Sequence, residues 1–386
     1  MTPPAGPERL RAWLALALAP GLAPRAAREL VERGFGGDPA ALLRADPGTL
    51  RRAGIGPEAA AGLVGAEEAP AVRASLEWAA ARPGRHLLAI DDPRYPERLR
   101  DLPDAPLVLH VAGDPEVLAL PQVGVVGSRR PTPAGRETAR ELGRALAEAG
   151  LVVTSGLARG VDAAAHEGAL AADGGAGGLT VAVCATGLDR IYPPEHVALA
   201  RRIVDSGGAL VSETPLGTPP RPGLFPRRNR LIAALAHGVL VVEASVRSGA
   251  LITARLAAEL GREVMAVPGS IHSPLARGCH LLIRQGARLV ETAADVLEEI
   301  APRLGDAAAR LRRPSPAPAA APSPPADPEY RKLLNAMEET PLPVDVLVAR
   351  TGLTPGEVSS MLLILELEGR VASTAGGLYA RVPEKG

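Results

Sequence analysis

Five segments of this 386-residue chain carry Gly with Ser or Arg at the end of a short apolar run. A strand that turns on Gly into a helix presents free backbone N–H groups and the positive end of a helix dipole, which is anion-binding chemistry. In VGVVGSRRPTPAGRETARELG the turn holds Gly127, Ser128 and Arg129, and in TSGLARGVDAAAHEGAL it holds Ser155, Gly156, Arg159 and Gly160. In EASVRSGALITARLAAELG it holds Ser248 and Gly249, with Thr253 in the following helix, and a further turn lies in AVPGSIHSPLARGCHLLIRQGA. The remaining segment, PPRPGLFPRRNRLIAALAHGVLVVEA, sets Arg221, Arg227, Arg228, Asn229 and Arg230 around Phe225. An aromatic ring among guanidiniums supplies base stacking beside phosphate contacts. A single nucleotide does not need so many turns.

Catalytic and cofactor chemistry is weaker. The first turn departs from GxGxxG, because Arg130 and Pro131 occupy its later positions and no acidic residue closes the next strand for a ribose, so a nicotinamide cofactor is disfavoured. Asp162 and His166, four apart, share a helical face; with no Ser or Cys nucleophile beside them they read as a hydrogen-bonded pair that fixes the helix start. Cys184 and Cys279 lack CxxC spacing, so neither a disulfide framework nor a structural metal is expected. No catalytic residue and no cofactor is assigned.

The elements that must position these residues follow from periodicity. From Val123 onward, short apolar runs (QVGVVGS, LVVTSG, TVAVCATG, GALVSE, GVLVVEA, EVMAVPGS) alternate with helical stretches, which predicts buried parallel strands in a doubly wound α/β sheet. Ligands of such sheets gather at the carboxyl ends of the strands, where the Gly-rich turns converge. The first 80 residues read as short helices whose APGLAP and AGIGPEAA turns are either helix-hairpin-helix phosphate sites or ordinary bundle corners. A Pro/Ala/Ser tract over 306–326 reads as a linker. Residues 327–386 read helix, helix, turn, helix and two short strands about AGG, the order of a winged helix-turn-helix. Its TPGEVSSMLLILELEG helix, with Thr354 as N-cap, carries Glu357, Glu366 and Glu368 but only Arg370, which suits a protein or self-association surface better than duplex reading. The expected domains are thus 1–80 helical, 81–305 Rossmann-like, 306–326 linker and 327–386 winged helix.

Composition sets the outer limits. Lys and Arg together number 43, as do Asp and Glu, so the molecule carries no net field for a polyanion. All basic residues except Lys332 and Lys385 are Arg, which suits bidentate phosphate binding, although a GC-rich genome also yields this bias. Aromatic residues are scarce, with two Phe, two Trp and four Tyr, so any exposed ring carries weight. The AWLALALAP run follows Glu8 and lacks a cleavage site, and no apolar run approaches the roughly 18 residues that span a bilayer, so a soluble, cytoplasmic chain with no membrane partner is expected.

Taken together, VGSRRPTPAG, SGLARGVDAAAH, FPRRNRLIAAL, VVEASVRSGALITARLAAELGREVMAVPGS and GCHLLIRQGA resemble the DNA-processing protein A (DprA/Smf) family, from about Ile90 to about Ile300. The resemblance implies an extended Rossmann fold that binds single-stranded DNA, dimerises through that domain and helps load RecA during natural transformation, with single-strand-binding protein as a further partner. By motif it implies DNA contacts at Gly127, Ser128, Arg129, Ser155, Gly156, Arg159, Gly160, Phe225, Arg227, Arg228, Asn229, Arg230, Ser248 and Gly249. The chain departs from the family's GTNxLI closure by Cys279 and His280, which puts in doubt the backbone contact that the Asn secures. Two other readings are a nucleotide phosphoribohydrolase and a winged-helix transcription regulator. The first lacks its PGGxGTxxE loop, because SGALITARLAAE stands there and leaves Glu243 and Glu259 as structural groups; the second is opposed by the acidic helix.

Overall fold

In the computed structural model, residues 6–172, 178–305, 311, 328–337, 340–367, 370–374 and 377–382 are described. The expected linker lies outside them except for Leu311.

Pro stands at the first position of each opening helix: α1 (Pro7–Leu18), α2 (Pro24–Gly34), α3 (Pro39–Leu43), α4 (Pro47–Arg52), α5 (Pro57–Leu63) and α6 (Pro70–Ala80). Pro fits there because its missing N–H would be unpaired and its fixed φ is already helical. Between α4 and α5 the Gly54 and Ile55 N–H groups donate to Arg51 and Leu50 carbonyls at 3.0 Å, so this turn spends on its own helix the donors that a phosphate would need. The helices pack against the edge of the sheet. Trp13 and Leu14 share one apolar cluster with Leu87, Leu88 and Leu109, and the Asp91 carboxylate accepts from Arg9 Nε at 2.5 Å and Trp13 Nε1 at 2.8 Å.

The main sheet has nine strands among the described residues, in the order β1-β2-β6-β5-β4-β3-β7-β8-β9. Its members are β1 (Arg85–Ala89), β2 (Val108–Gly113), β3 (Gln122–Gly127), β4 (Val152–Ser155), β5 (Thr180–Val183), β6 (Ala209–Ser212), β7 (Gly238–Val242), β8 (Glu263–Ala266) and β9 (Arg288–Leu289). β1 and β2 are antiparallel, whereas β3 to β9 run parallel and β3 to β7 are almost wholly buried, as continuous apolar runs require. The connecting helices are α7 (Glu97–Arg100), α8 (Pro133–Glu148), α9 (Val161–Leu170), α10 (Val197–Asp205), α11 (Leu224–Leu235), α12 (Gly249–Glu259), α13 (Arg277–Arg284) and α14 (Ala293–Leu304). Helices α8, α9 and α14 close one core around Val123, Val125, Leu146 and Ile300, and α11 and α12 close the other around Leu231, Ile232, Val239 and Ala254. Strand order reverses between β3 and β7, which opens a crevice at their carboxyl ends.

The last module contains α15 (Pro328–Ala336), β10 (Leu342–Pro343), α16 (Val344–Thr351), α17 (Pro355–Leu367), β11 (Val371–Thr374) and β12 (Leu378–Arg381), with sheet order β10-β12-β11. This is a winged helix with its own core of Leu333, Leu347, Val358 and Leu362. Thr354 and Glu357 form the expected start of α17, since Thr354 N and Oγ1 both donate to the Glu357 carboxylate at 2.7 Å. Among the described residues, no helix is long and apolar enough to cross a membrane.

Candidate nucleic-acid interface

The two Gly-rich turns nearest the switch point are already filled by the protein's own carboxylates. Glu243, just after β7, accepts from Thr132 N at 2.8 Å and Thr132 Oγ1 at 2.6 Å, while Thr132 caps α8 through Gly135 N. The positive end of α8 is therefore satisfied internally rather than by a phosphate. Glu243 holds this place at φ 48°, a conformation uncommon for a side-chain-bearing residue. In the turn after β4, Asp162 accepts from Gly156 N at 3.1 Å and Ala158 N at 3.3 Å. Burial raises its pKa, and the neighbouring Arg228 charge opposes that rise.

Several of the expected contact residues are buried among the protein's own partners. Ser155 is fully buried and donates to Val125 O at 2.6 Å. Arg228 is 5% exposed; its Nη1 donates to Gly156 O at 2.6 Å and to Val183 O, so it ties the ends of β4 and β5 together. Gly156 is buried against it, and a Cβ at that position would stand 2.3 Å from Arg228 Nη1. Arg230 is 7% exposed and pairs with Glu213 at 2.5 Å and Asp104 at 3.0 Å. Buried in this way, the two guanidiniums bond the protein's own carbonyls and carboxylates, with Arg228 at the wall of the crevice. The Asp162–His166 pair is corrected, because His166 Nδ1 lies 2.7 Å from Thr180 Oγ1 and burial lowers its pKa to about 3.

The other expected residues reach the surface. Arg129 is exposed, with no carboxylate partner among the described residues, and its guanidinium lies 5.2 Å from the Phe225 ring centre. Such a cation–π contact leaves the guanidinium edge open to phosphate. Ser128 Oγ accepts from Arg130 N at 3.1 Å, and Gly160, at φ 80°, packs under the Ser128 carbonyl. Gly127, Ser128, Arg129, Phe225, Asn229, Ser248 and Gly249 line one crevice of about 670 Å³. Ser248 caps α12 by accepting from Ala250 N at 3.2 Å, and Ser248, Gly249 and Ala250 line the crevice, so this helix start borders it. Arg227 and Arg159 are exposed but paired, Arg227 with Glu213 at 3.3 Å and Arg159 with Glu195.

Two features escaped sequence reading. Tyr192 is 43% exposed and its ring centre lies 5.7 Å from that of Phe225; the scarcity of aromatics was the signal that could have singled it out. Arg130, also exposed without a carboxylate partner among the described residues, borders the same crevice. At the family's missing Asn, His280 Nε2 lies 3.0 Å from Gly269 O in the loop after β8, and Cys279 Sγ donates to Val241 O of β7 at 3.6 Å.

The sequence profile of the family described as DNA recombination-mediator protein A matches residues 86–301, more than half of the chain. The chain belongs to the DNA recombination-mediator protein A family. A second profile, for the DprA winged helix domain, matches residues 317–377. The chain is 42% identical to Protein Smf of Escherichia coli over 315 residues, 81% of each protein. It is 44% identical to DNA processing protein DprA of Streptococcus pneumoniae over 211 residues, 55% of this chain and 73% of that protein. The solved structure of DNA processing protein A from Streptococcus pneumoniae superposes with a TM-score of 0.65 at 36% identity, covering 75% of this chain and 97% of that one. Every crevice residue named above falls inside the stretch matched by the DNA recombination-mediator protein A profile.

Proposed function

We propose that this protein binds single-stranded DNA in the crevice between β3 and β7, without chemistry on the strand, and acts as a cytoplasmic recombination mediator that passes the strand to RecA. The observation that carries this is the Arg129 guanidinium 5.2 Å from the Phe225 ring centre, in a crevice shared with the start of α12, with the Tyr192 ring 5.7 Å from the same ring. A platform of rings and guanidiniums holds backbone charge and base faces together and tolerates any sequence. A duplex keeps its base faces stacked inside and gains only the phosphate contacts.

The enzyme reading finds no support in the placement of its carboxylates. Glu243 is engaged by Thr132, and Glu259 is exposed and paired with Arg255 at 2.8 Å. A transcription regulator would need a basic recognition helix, and the outer face of α17 instead shows Leu363 and Ile364. Family membership supports the wider role: pairing into a homodimer through the Rossmann-like domain, cooperation with single-strand-binding protein and a part in natural transformation. The domain division at residues 80, 305 and 326 belongs to the same proposal.

Fluorescence anisotropy with labelled single-stranded and duplex oligonucleotides over a range of salt tests the reading. Single strands bind preferentially, with a log–log salt slope of roughly −0.7 for each phosphate neutralised. Arg129→Ala weakens binding and flattens that slope; equal affinity for both forms, or an unchanged slope, overturns the proposal.

A further inference from the structure

We propose that Glu195 is a built-in competitor for the bound DNA: its carboxylate occupies Arg159 until a phosphate displaces it, and its return to Arg159 speeds release. This rests on the single-strand reading and adds to it a residue that limits how long the DNA is held.

The exposed arginines around the crevice fall into three kinds by partner. Arg129 and Arg130 have no carboxylate partner among the described residues. Arg227 is paired at 3.3 Å with Glu213, whose side chain is 8% exposed and also holds the buried Arg230 at 2.5 Å. That carboxylate cannot leave without abandoning a buried guanidinium, and breaking a buried pair is expensive. Arg159 is the third kind. Its Nε donates to Glu195, and both side chains are open to solvent, Arg159 at 66% and Glu195 at 44%. Exposed pairs of this sort contribute little, and a phosphate offers a guanidinium the same two-oxygen partner as a carboxylate, so the exchange is close to balanced.

The backbone sets the pair in place. Glu195 sits on a short 3-10 turn, Pro194–His196, and His196 Nδ1 donates at 2.8 Å to the carbonyl of Leu157, two residues before Arg159. The loop leading into that turn is held by Thr186 Oγ1, which donates to Arg190 O at 2.7 Å, and by Asp189, which accepts from Gly217 N at 2.9 Å. Glu195 therefore leaves Arg159 by turning its side chain alone and stays beside it. The bond to Arg159 holds the Glu195 carboxyl below the usual carboxylate range, so the competitor is charged at neutral pH. Arg159 borders the same cleft as Arg129, Arg130 and Arg136, within reach of DNA that leaves the crevice on this side. Once a phosphate takes Arg159, the displaced carboxylate faces that phosphate well inside a Debye length and repels it.

Stopped-flow dissociation of a labelled oligothymidylate, chased with excess unlabelled oligomer, tests this on the full-length wild type, Glu195→Gln, Arg159→Ala and the double variant, with a labelled duplex alongside. Glu195→Gln is expected to lengthen the lifetime of the single-strand complex by roughly two- to fivefold, the scale of an exposed ion pair. In the Arg159→Ala background the same substitution gives no lengthening. A general loss of negative charge acts chiefly on association, and any effect it has on lifetime is the same in both backgrounds. An unchanged lifetime in Glu195→Gln, or equal lengthening with and without Arg159, overturns the competitor while the single-strand reading stands. A wild type that holds duplex as long as single strands overturns the single-strand reading itself.

Discussion

The Arg228 guanidinium meets the Gly156 carbonyl at 2.6 Å inside the carboxyl edge of the sheet, with Asp162 on the other side of the same turn. Removing the guanidinium leaves a buried carboxylate without its neighbouring cation and two backbone carbonyls without a donor. Arg228→Ala is expected to cost about 3–5 kcal/mol of stability, as broken buried pairs do. Arg228→Lys restores little of it, because the shorter stem does not bring its ammonium to the Nη1 position that meets both carbonyls and offers no donor in place of Nε toward Asn229. Arg129→Ala, at an exposed site, stays within about 0.5 kcal/mol of the wild type. Urea unfolding of the three variants checks this; wild-type stability in Arg228→Ala would show that the residue is free to serve DNA.

Glu243 gives a second prediction, because the carboxylate that an enzyme reading would make catalytic is the one that holds Thr132. Glu243→Ala removes two acceptors from the start of α8 and is expected to lower stability by about 1–3 kcal/mol. Chromatography of nucleoside monophosphates incubated with the wild type is expected to show free base at the no-protein background, with no change in the variant. Release above background that disappears in Glu243→Ala would restore the hydrolase.

The parallel core was legible in the sequence because each strand from β3 to β8 is a short, mostly apolar run that ends on, or is followed within a few residues by, Gly, Ser or a carboxylate. β1, β2 and β9 were not legible, since Arg85, His86 and His110 interrupt the first two and β9 is only two residues long. Among the candidate site residues, spacing located the turns but not the depth of their side chains. FPRRNR carries its Arg residues on several faces of α11, so Arg227 points out while Arg228 and Arg230 turn into the core. The Glu243 carboxylate, which takes up the Thr132 N–H at the start of α8, leaves no local signature, because the two residues are 111 apart. Tyr192 was hidden for the same reason: its partner Phe225 comes from a later crossover.

His166 makes stability depend on pH. Burial against Thr180 lowers its pKa to about 3 from the usual 6.5, so the unfolded chain binds this proton more readily than the folded one. The neutral ring's contribution is complete above pH 6.5 and is lost as the pH falls from 6.5 toward 3, at up to about 1.4 kcal/mol per pH unit. His110 and His237, each lowered by burial to about 4, act in the same direction and window. His166→Gln, which can still donate to Thr180, is expected to flatten the fall in unfolding free energy between pH 6.5 and 4.5. An identical pH profile in the variant would show that this imidazole takes up no proton on unfolding.

The winged helix faces the arginine surface without building it. Thr340, Arg350, Thr374 and Leu378 line one wall of a cleft whose other wall includes Arg129, Arg130, Arg136 and Arg140. Its core of Leu333, Leu347 and Leu362 is separate from the two cores of the sheet, so a chain ending at Gly305 keeps every apolar contact that shapes the crevice. All crevice residues lie before residue 276, and the outer face of α17 offers Leu363 and Ile364 rather than cations. The truncated chain is expected to retain single-strand affinity to within tenfold, or about 1.4 kcal/mol, with the same preference over duplex. Anisotropy on the truncated and full-length proteins at matched salt decides the point. A larger loss would place Arg350 and its neighbours in the DNA path, as a second wall that closes over the strand.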